Sequence, residues 1–395
     1  FGGFFPALLE EFGWTRASRA GAFSLYTLVY SVCGYFSGRL TDRWGPRRVV
    51  ALGGLLLGGG LMLLSLTSSR WQLYLFYGII AGLGMSTAYV PCNATVVKWF
   101  VRRRGAALGL VGSGASLGIF AVSPLAALLI SRYGWRFSYL LFGGATLVLL
   151  NLLARFMRRD PKELGQQPDG DPQSALSPLP ASGGNPSASA EEWEVRDAVR
   201  TPAFWCLTAA ILAALFTIPI PYVHLVSHAR DLGLSSLVAS TLVSVIGISA
   251  LAGNLSLGPA SDRIGRKVTL GTCLFLGILA FVGFGEARSM AGLYVAAAAF
   301  GFYYGSVAVL FPAILGDFFG RGHAGTLTGL IFALCGPVGA LGPVVAGWLY
   351  DRTGGYFLAF LLAALVNAVA LTIFAFTGAP QRHPLLTPEG EGEDG

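Results

Sequence analysis

Apolar residues fill this chain in long blocks separated by short polar stretches, and the blocks are longer than the strands or surface helices of a water-soluble domain require. Val49 to Leu66, Phe137 to Leu153 and Phe357 to Phe376 each run without a charge at their middle. About 20 helical residues at about 1.5 Å of rise cross about 30 Å of hydrocarbon, so each block is long enough to span a membrane. The pattern predicts twelve spans, at 1–9 (partial), 17–40, 48–67, 71–97, 105–131, 136–157, 202–228, 235–259, 267–285, 289–316, 323–349 and 356–377. The chain opens at Phe1 inside an apolar segment, so the start of the first helix is expected to lie before it.

Between the sixth and seventh spans, residues 158–200 are rich in Pro, Gly, Ser, Gln and acid, and no apolar period survives. This predicts a linker, disordered through Ala190, followed at 191–200 by a short amphipathic helix on the membrane surface. The expected fold is all-α and integral to the membrane: twelve transmembrane helices in two pseudo-symmetric six-helix bundles, 1–157 and 201–378, with a tail at 379–395.

Composition agrees, with 54% hydrophobic and 12% charged residues and a mean hydropathy of +0.64. The 54 glycines show no three-residue period and suit helices packed closely in lipid. The five cysteines are scattered singly inside spans, which supports neither a disulfide framework nor a metal site, and no cofactor is implied. A net charge of +7 could point to nucleic acid, but the basic residues sit in short loops between apolar runs, where they orient a membrane protein instead. With both termini and the linker cytoplasmic, nineteen basic residues fall inside and eight outside, the bias expected of a protein of the cell (inner) membrane.

An internal repeat fixes the organisation. Gly38-Arg-Leu-Thr-Asp42-Arg43-Trp-Gly45-Pro-Arg47-Arg48 returns 220 positions later as Gly258-Pro-Ala-Ser-Asp262-Arg263-Ile-Gly265-Arg266-Lys267. The same offset, within about a residue, carries Leu73-Tyr74 onto Leu293-Tyr294, Pro91 onto Pro312, Trp99-Phe100 onto Phe318-Phe319, and Pro124 onto Pro343. Asp42 and Asp262 end the second and eighth helices, where a carboxylate can meet the positive end of a neighbouring helix and nearby arginines. Gly45 and Gly265 allow the turn into the next helix, and Arg43, Arg47, Arg263 and Arg266 are candidates both for the latch and for lipid headgroups. One copy could be an ordinary positive-inside loop; two copies in register favour a gating element.

At these residues the chain resembles the major facilitator superfamily, whose hallmark loop is Gly-x-x-x-Asp-Arg/Lys-x-Gly-x-Arg/Lys-Arg/Lys. Trp99-Phe-Val-Arg102-Arg103-Arg104-Gly-Ala-Ala-Leu-Gly109-Leu-Val-Gly112 is similar to the signature entering the fifth helix of monocarboxylate and oxalate:formate porters, and Glu10-Glu-Phe-Gly-Trp14-Thr-Arg-Ala resembles the outer loop of bacterial members. The resemblance implies a secondary transporter working by alternating access, functional as a monomer, that holds a small molecule, with or without a proton, near mid-membrane between the halves.

Charged groups at that depth would be the strongest pointers to cargo, and every one of the 20 Asp and Glu residues lies in a loop, a tail or a helix end, as do Lys and Arg. Porters of the resembling type carry an Arg in the eighth helix; here that position holds Asn254, eight residues or about 12 Å from Asp262. An amide can donate to a carboxylate without neutralising it, so either another group meets the anion or the cargo is neutral; an interhelical hydrogen bond is the plainer role. His224 follows Pro219-Ile-Pro221, which should break the seventh helix, and is a candidate for hydrogen bonding or proton transfer. Tyr89 and Asn93 share a face of the fourth helix, and Tyr303 and Tyr304 lie in the tenth; these six form the candidate substrate site. Tyr26, Tyr30 and Cys335 read as packing residues. A small organic acid is the favoured cargo. The alternatives are a neutral metabolite, drug/proton antiport, for which Gly112-Ser-Gly-Ala-Ser-Leu-Gly118 lacks the Gly-Pro pair, and a sensor that keeps the fold without flux. Nothing points to an enzyme.

Overall fold

The computed structural model describes residues 11–12, 16–170, 192–378 and 380, and those in regular structure are helical. Ten helices among the described residues are long and apolar enough to cross a membrane. To these the second helix, Arg16–Trp44, adds a further long element. The expected span at 1–9 lies outside the described residues, as do 171–191 of the linker and most of the tail.

The third helix is Pro46–Leu64 and the fourth Arg70–Trp99, with a π-helical stretch at Tyr74–Ala81. The fifth and sixth run as Arg104–Ala154, divided where Gly134 takes φ 80°. The seventh is Pro202–Thr217 and Pro219–Asp231, with Pro219 opening the second piece as expected of a residue that lacks an N–H. The eighth is Ser236–Ile264, the ninth Arg266–Glu286 and the tenth Met290–Phe319. The eleventh is Ala324–Gly339 followed by Leu341–Thr353, and the twelfth is Phe357–Ala375.

One expectation changes here. The repeated segment is a loop only at its glycine: the second helix continues through Asp42 to Trp44, and Gly45, at φ 81°, makes the turn. Gly265, at φ 96°, does the same after Ile264. Positive φ costs glycine little, so one residue reverses the chain and each Asp stays on a helical face aimed at its neighbour. The amphipathic segment also differs. It is a single turn, Val195–Ala198, and Trp193 beside it is buried against Phe319 rather than lying on a membrane surface.

Small residues set the packing distances. A Cβ on Gly58 would lie 2.6 Å from Leu147, and one on Gly84 would lie 2.3 Å from the Leu57 nitrogen, so the third helix is tight against both the sixth and the fourth. The second bundle has an aromatic core in which Phe281, Phe284, Phe300 and Phe360 are fully buried. Val148, Leu152, Val295 and Phe376 instead turn outward, the arrangement of helices whose outer faces meet lipid.

Candidate functional site

The two bundles meet in three layers, beginning at the end that carries the repeated turns. The first layer is ionic. Asp42, buried, accepts from the Lys98 ammonium at 2.8 Å through Oδ1. Its Oδ2 accepts from the backbone N–H and the hydroxyl of Thr326 at 2.7 and 2.8 Å, at the start of the eleventh helix. Asp262 repeats the arrangement, accepting from the N–H groups of Gly105 and Ala106 at 2.8 and 2.9 Å, in the first turn of the fifth helix. Each carboxylate therefore completes the open N-terminus of a helix in the opposite bundle, where orphan amides and the helix dipole favour negative charge.

The counter-charges differ between the two copies. Lys98 belongs to the same bundle as Asp42, whereas its equivalent under the Trp99-to-Phe318 offset is Asp317. Two acids then face each other in the second bundle, and Arg266 bridges them, donating to Asp262 at 2.9 Å and to Asp317 at 2.6 Å. Arg104, essentially inaccessible, crosses from the first bundle to Asp317 as well. Among the repeated arginines only Arg266 joins the latch; Arg43, Arg47 and Arg263 are exposed.

The ends of the linker brace the same layer. Asp169 accepts from the N–H groups of Val101, Arg102 and Arg103 at 3.0, 2.9 and 3.4 Å. Glu192 accepts from those of Gly322 and Arg321 at 2.6 and 3.4 Å. Residues 101–102 and 321–322 are equivalent positions of the two halves.

The second layer is made of glycines. A Cβ on Gly38 would sit 2.0 Å from the Gly325 oxygen, one on Gly258 2.5 Å from the Gly105 oxygen, and one on Gly329 2.3 Å from the Gly34 oxygen. Backbones of the second and eleventh helices, and of the fifth and eighth, thus touch directly. Between the fifth and eighth helices the contact ends at Asn254, while between the second and eleventh it runs on to mid-helix, where a Cβ on Gly336 would lie 2.1 Å from the Ser31 hydroxyl. Gly247, two turns further on the same face of the eighth helix, has nothing within 4 Å of where its Cβ would be. The bundles are shut at the repeated-turn end and splayed beyond mid-helix.

The third layer, at the floor of that opening, is aromatic and amide. Tyr89 packs on Phe332 of the other bundle at 4.8 Å between centroids, and its hydroxyl donates to the Ala308 carbonyl at 2.7 Å. Tyr30 meets Phe332 at 6.4 Å and Tyr26 at 6.3 Å, and Tyr304 meets Tyr222 at 5.5 Å. Asn254, buried, donates to Ser116 of the fifth helix at 3.4 Å, while its carbonyl oxygen has no partner.

Of the six expected substrate residues, this layer gathers Tyr89, Tyr304 and Asn254. The structure gives the other three local duties. Asn93 donates to the Tyr89 carbonyl of its own helix at 2.8 Å. Tyr303, fully buried, donates to Asn367 at 2.8 Å, and Asn367 donates to Thr217 at 3.0 Å, closing a polar triangle inside the second bundle. His224 lies between the Pro343 carbonyl at 2.9 Å and the Tyr356 hydroxyl at 3.3 Å, on the eleventh helix and at the start of the twelfth. Each of these bonds lies within a single bundle.

The sequence model of the major facilitator superfamily matches residues 1–228 and again 210–394, so between them the two matches cover nearly the whole chain. The chain belongs to the major facilitator superfamily. Among its relatives, monocarboxylate transporter 13 of Bos taurus is 31% identical, over 100% of this chain and 92% of its own. Monocarboxylate transporter 11 of Homo sapiens is 30% identical, over 97% and 79%. Solved structures agree in fold. The Escherichia coli fucose:proton symporter FucP superposes with a TM-score of 0.71 at 16% identity, covering 95% of each chain. The human organic anion transporter MFSD10 does so at 0.69 and 18%, covering 90% of this chain and 83% of its own. The major facilitator fold thus accounts for the twelve-helix pattern, and the three layers give its closed end in this member.

Reading the sequence missed Lys98, Arg104, Asp317 and Thr326 as latch residues and Tyr30 and Tyr222 as members of the aromatic floor. The charges sit at helix ends next to the motif at Trp99–Arg104, so proximity to the repeated turns was the available signal. For the tyrosines there was none, because their role depends on which faces the two bundles oppose.

Proposed function

We propose that this transporter moves a small organic acid, monocarboxylate-like, across the cell membrane by alternating access, and that the repeated turns and the linker lie on the cytoplasmic side. The floor of the opening supports this reading. Donors suited to a carboxylate converge there from both bundles: the hydroxyls of Tyr30, Tyr222 and Tyr304 and the Asn254 amide. The names of the relatives point to the same cargo. Hydrogen bonds from neutral groups suit an acid that travels with its proton, since a bare carboxylate buried without a cation is costly. Asn254 replaces the expected arginine and leaves its carbonyl free, so it can also accept a donor from the cargo. The excess of basic residues at the latched end supports this orientation, in which the structure is open to the outside. Both bundles contribute to one floor within a single chain, consistent with a monomer.

Reconstitution into liposomes tests the reading, using labelled monocarboxylates, dicarboxylates and neutral metabolites with and without an inward proton gradient. Monocarboxylate uptake that rises with the gradient and weakens about tenfold in apparent affinity in Asn254→Ala is expected. Uptake confined to neutral metabolites would overturn the choice of cargo.

A further inference from the structure

Five arginines surround one cavity on the rim of the first bundle. Arg43, Arg47 and Arg48 come from the turn at Gly45, and Arg158 and Arg159 follow the sixth helix; with Trp44 they line a space of about 540 Å³. Glu163 is the one acid on its wall. None of the five guanidiniums makes an ion pair among the described residues, and Arg159 is held over the turn by a 3.5 Å bond to the Arg43 carbonyl.

The internal repeat supplies a control. At the equivalent turn in the second bundle, Arg266 is committed to Asp262 and Asp317, and Lys267 donates to the Ala375 carbonyl at 2.8 Å. Only Arg263 is left over there. A topology signal needs positive charge but no shared cavity, so the difference between the two turns requires a separate cause.

We propose that this cavity binds the phosphate headgroup of an anionic membrane lipid. Guanidinium forks match phosphate oxygens, and five cations sharing one space repel each other until a multivalent anion enters. A lipid is favoured over a soluble anion by the rim. Trp44, in the lining, is 57% exposed, and Phe156, next in the chain to the lining residue Met157, is 76% exposed; exposed aromatic rings suit the boundary between acyl chains and water.

The test titrates the purified full chain in detergent with short-chain phosphatidylinositol bisphosphate, with phosphatidylcholine as neutral control and free inositol trisphosphate as soluble control. The wild type is expected to bind the anionic lipid, more weakly as salt rises. Replacing three of the five charges together (Arg48→Gln, Arg158→Gln and Arg159→Gln) should weaken binding about 100-fold, whereas the lysine replacements at the same positions should retain most of it. Arg263→Gln should leave it within about twofold. An equal loss in Arg263→Gln, or affinity independent of salt, would overturn the site. Inositol trisphosphate binding as tightly as the lipid would overturn the choice of a lipid. If the glutamine variant fails to fold, the lysine variant, Arg263→Gln and the salt titration of the wild type still decide.

Discussion

Thr326→Val removes one hydrogen-bonding group from the ionic layer and little else. The hydroxyl donates to Asp42 Oδ2 at 2.8 Å across the boundary between bundles, while the backbone N–H of the same residue keeps its 2.7 Å bond. Asp42 and Lys98 belong to one bundle, so their ion pair persists when the bundles part and the substitution leaves it intact. The hydroxyl bond, by contrast, exists only while the repeated-turn end is closed. A hydrogen bond to a charged group contributes about 1.5–3 kcal/mol, and valine matches threonine in shape. The equilibrium should therefore shift about 10- to 150-fold toward the state open at that end, since about 1.4 kcal/mol is a factor of ten. Single-molecule energy transfer between dyes at positions 48 and 268, at the starts of the third and ninth helices, measures the two populations directly. A folded Thr326→Val protein whose populations move less than twofold would refute the assignment of Asp42 as a latch across the bundles.

Gly258→Ala should act on the same equilibrium by steric means, because its Cβ would lie 2.5 Å from the Gly105 oxygen. We expect about 1–3 kcal/mol of strain confined to the closed end, read with the same pair of dyes as a shift toward the state open at that end. Tyr303→Phe leaves the Asn367 carbonyl without its buried donor and should lower stability by about 1–3 kcal/mol in denaturation, with KM for cargo unchanged. A raised KM would return Tyr303 to the substrate site. Glu11 accepts from the Trp135 indole at 2.6 Å and from Arg136 at 2.5 Å, and the Arg136 bond in particular holds its carboxyl below the ordinary range. Because its folded pKa is depressed, its contribution is full above about pH 4.3 and fades as pH falls through the folded value; being exposed, it amounts to less than about 1 kcal/mol. Glu11→Gln should flatten that part of the pH–stability curve, which thermal melts from pH 7 downward will show.

Among the described residues the apolar spans, the internal repeat and the turns at Gly45 and Gly265 were legible because each depends on local properties: the length of an apolar run, a fixed offset, a residue that tolerates positive φ. The latch was half legible. Asp42 and Asp262 could be named from their place at helix ends, but their partners at Thr326, Gly105 and Ala106 are backbone amides, which leave no trace in residue type. The candidate site was least legible. Tyr303 and Tyr304 are neighbours in sequence, yet a step of about 100° around the helix sends one into a sealed triangle and the other toward Tyr222. His224 drew notice as an isolated imidazole beside two prolines, and the satisfied geometry at Pro343 and Tyr356 comes from helices more than a hundred residues away.

The carboxylates at the two ends of the linker make that segment a strap fastened at both buckles. Asp169 rides on the turn before the fifth helix and Glu192 on the turn before the eleventh, so the fastenings travel apart whenever the bundles part at this end. The strap's effect is electrical. Each of the two helices receives one acid from a repeated turn and a second from the strap, and only the first is surrendered on opening. The strap therefore keeps both helix ends partly neutralised through the cycle, so that neither exposes its full positive pole to the incoming solvent.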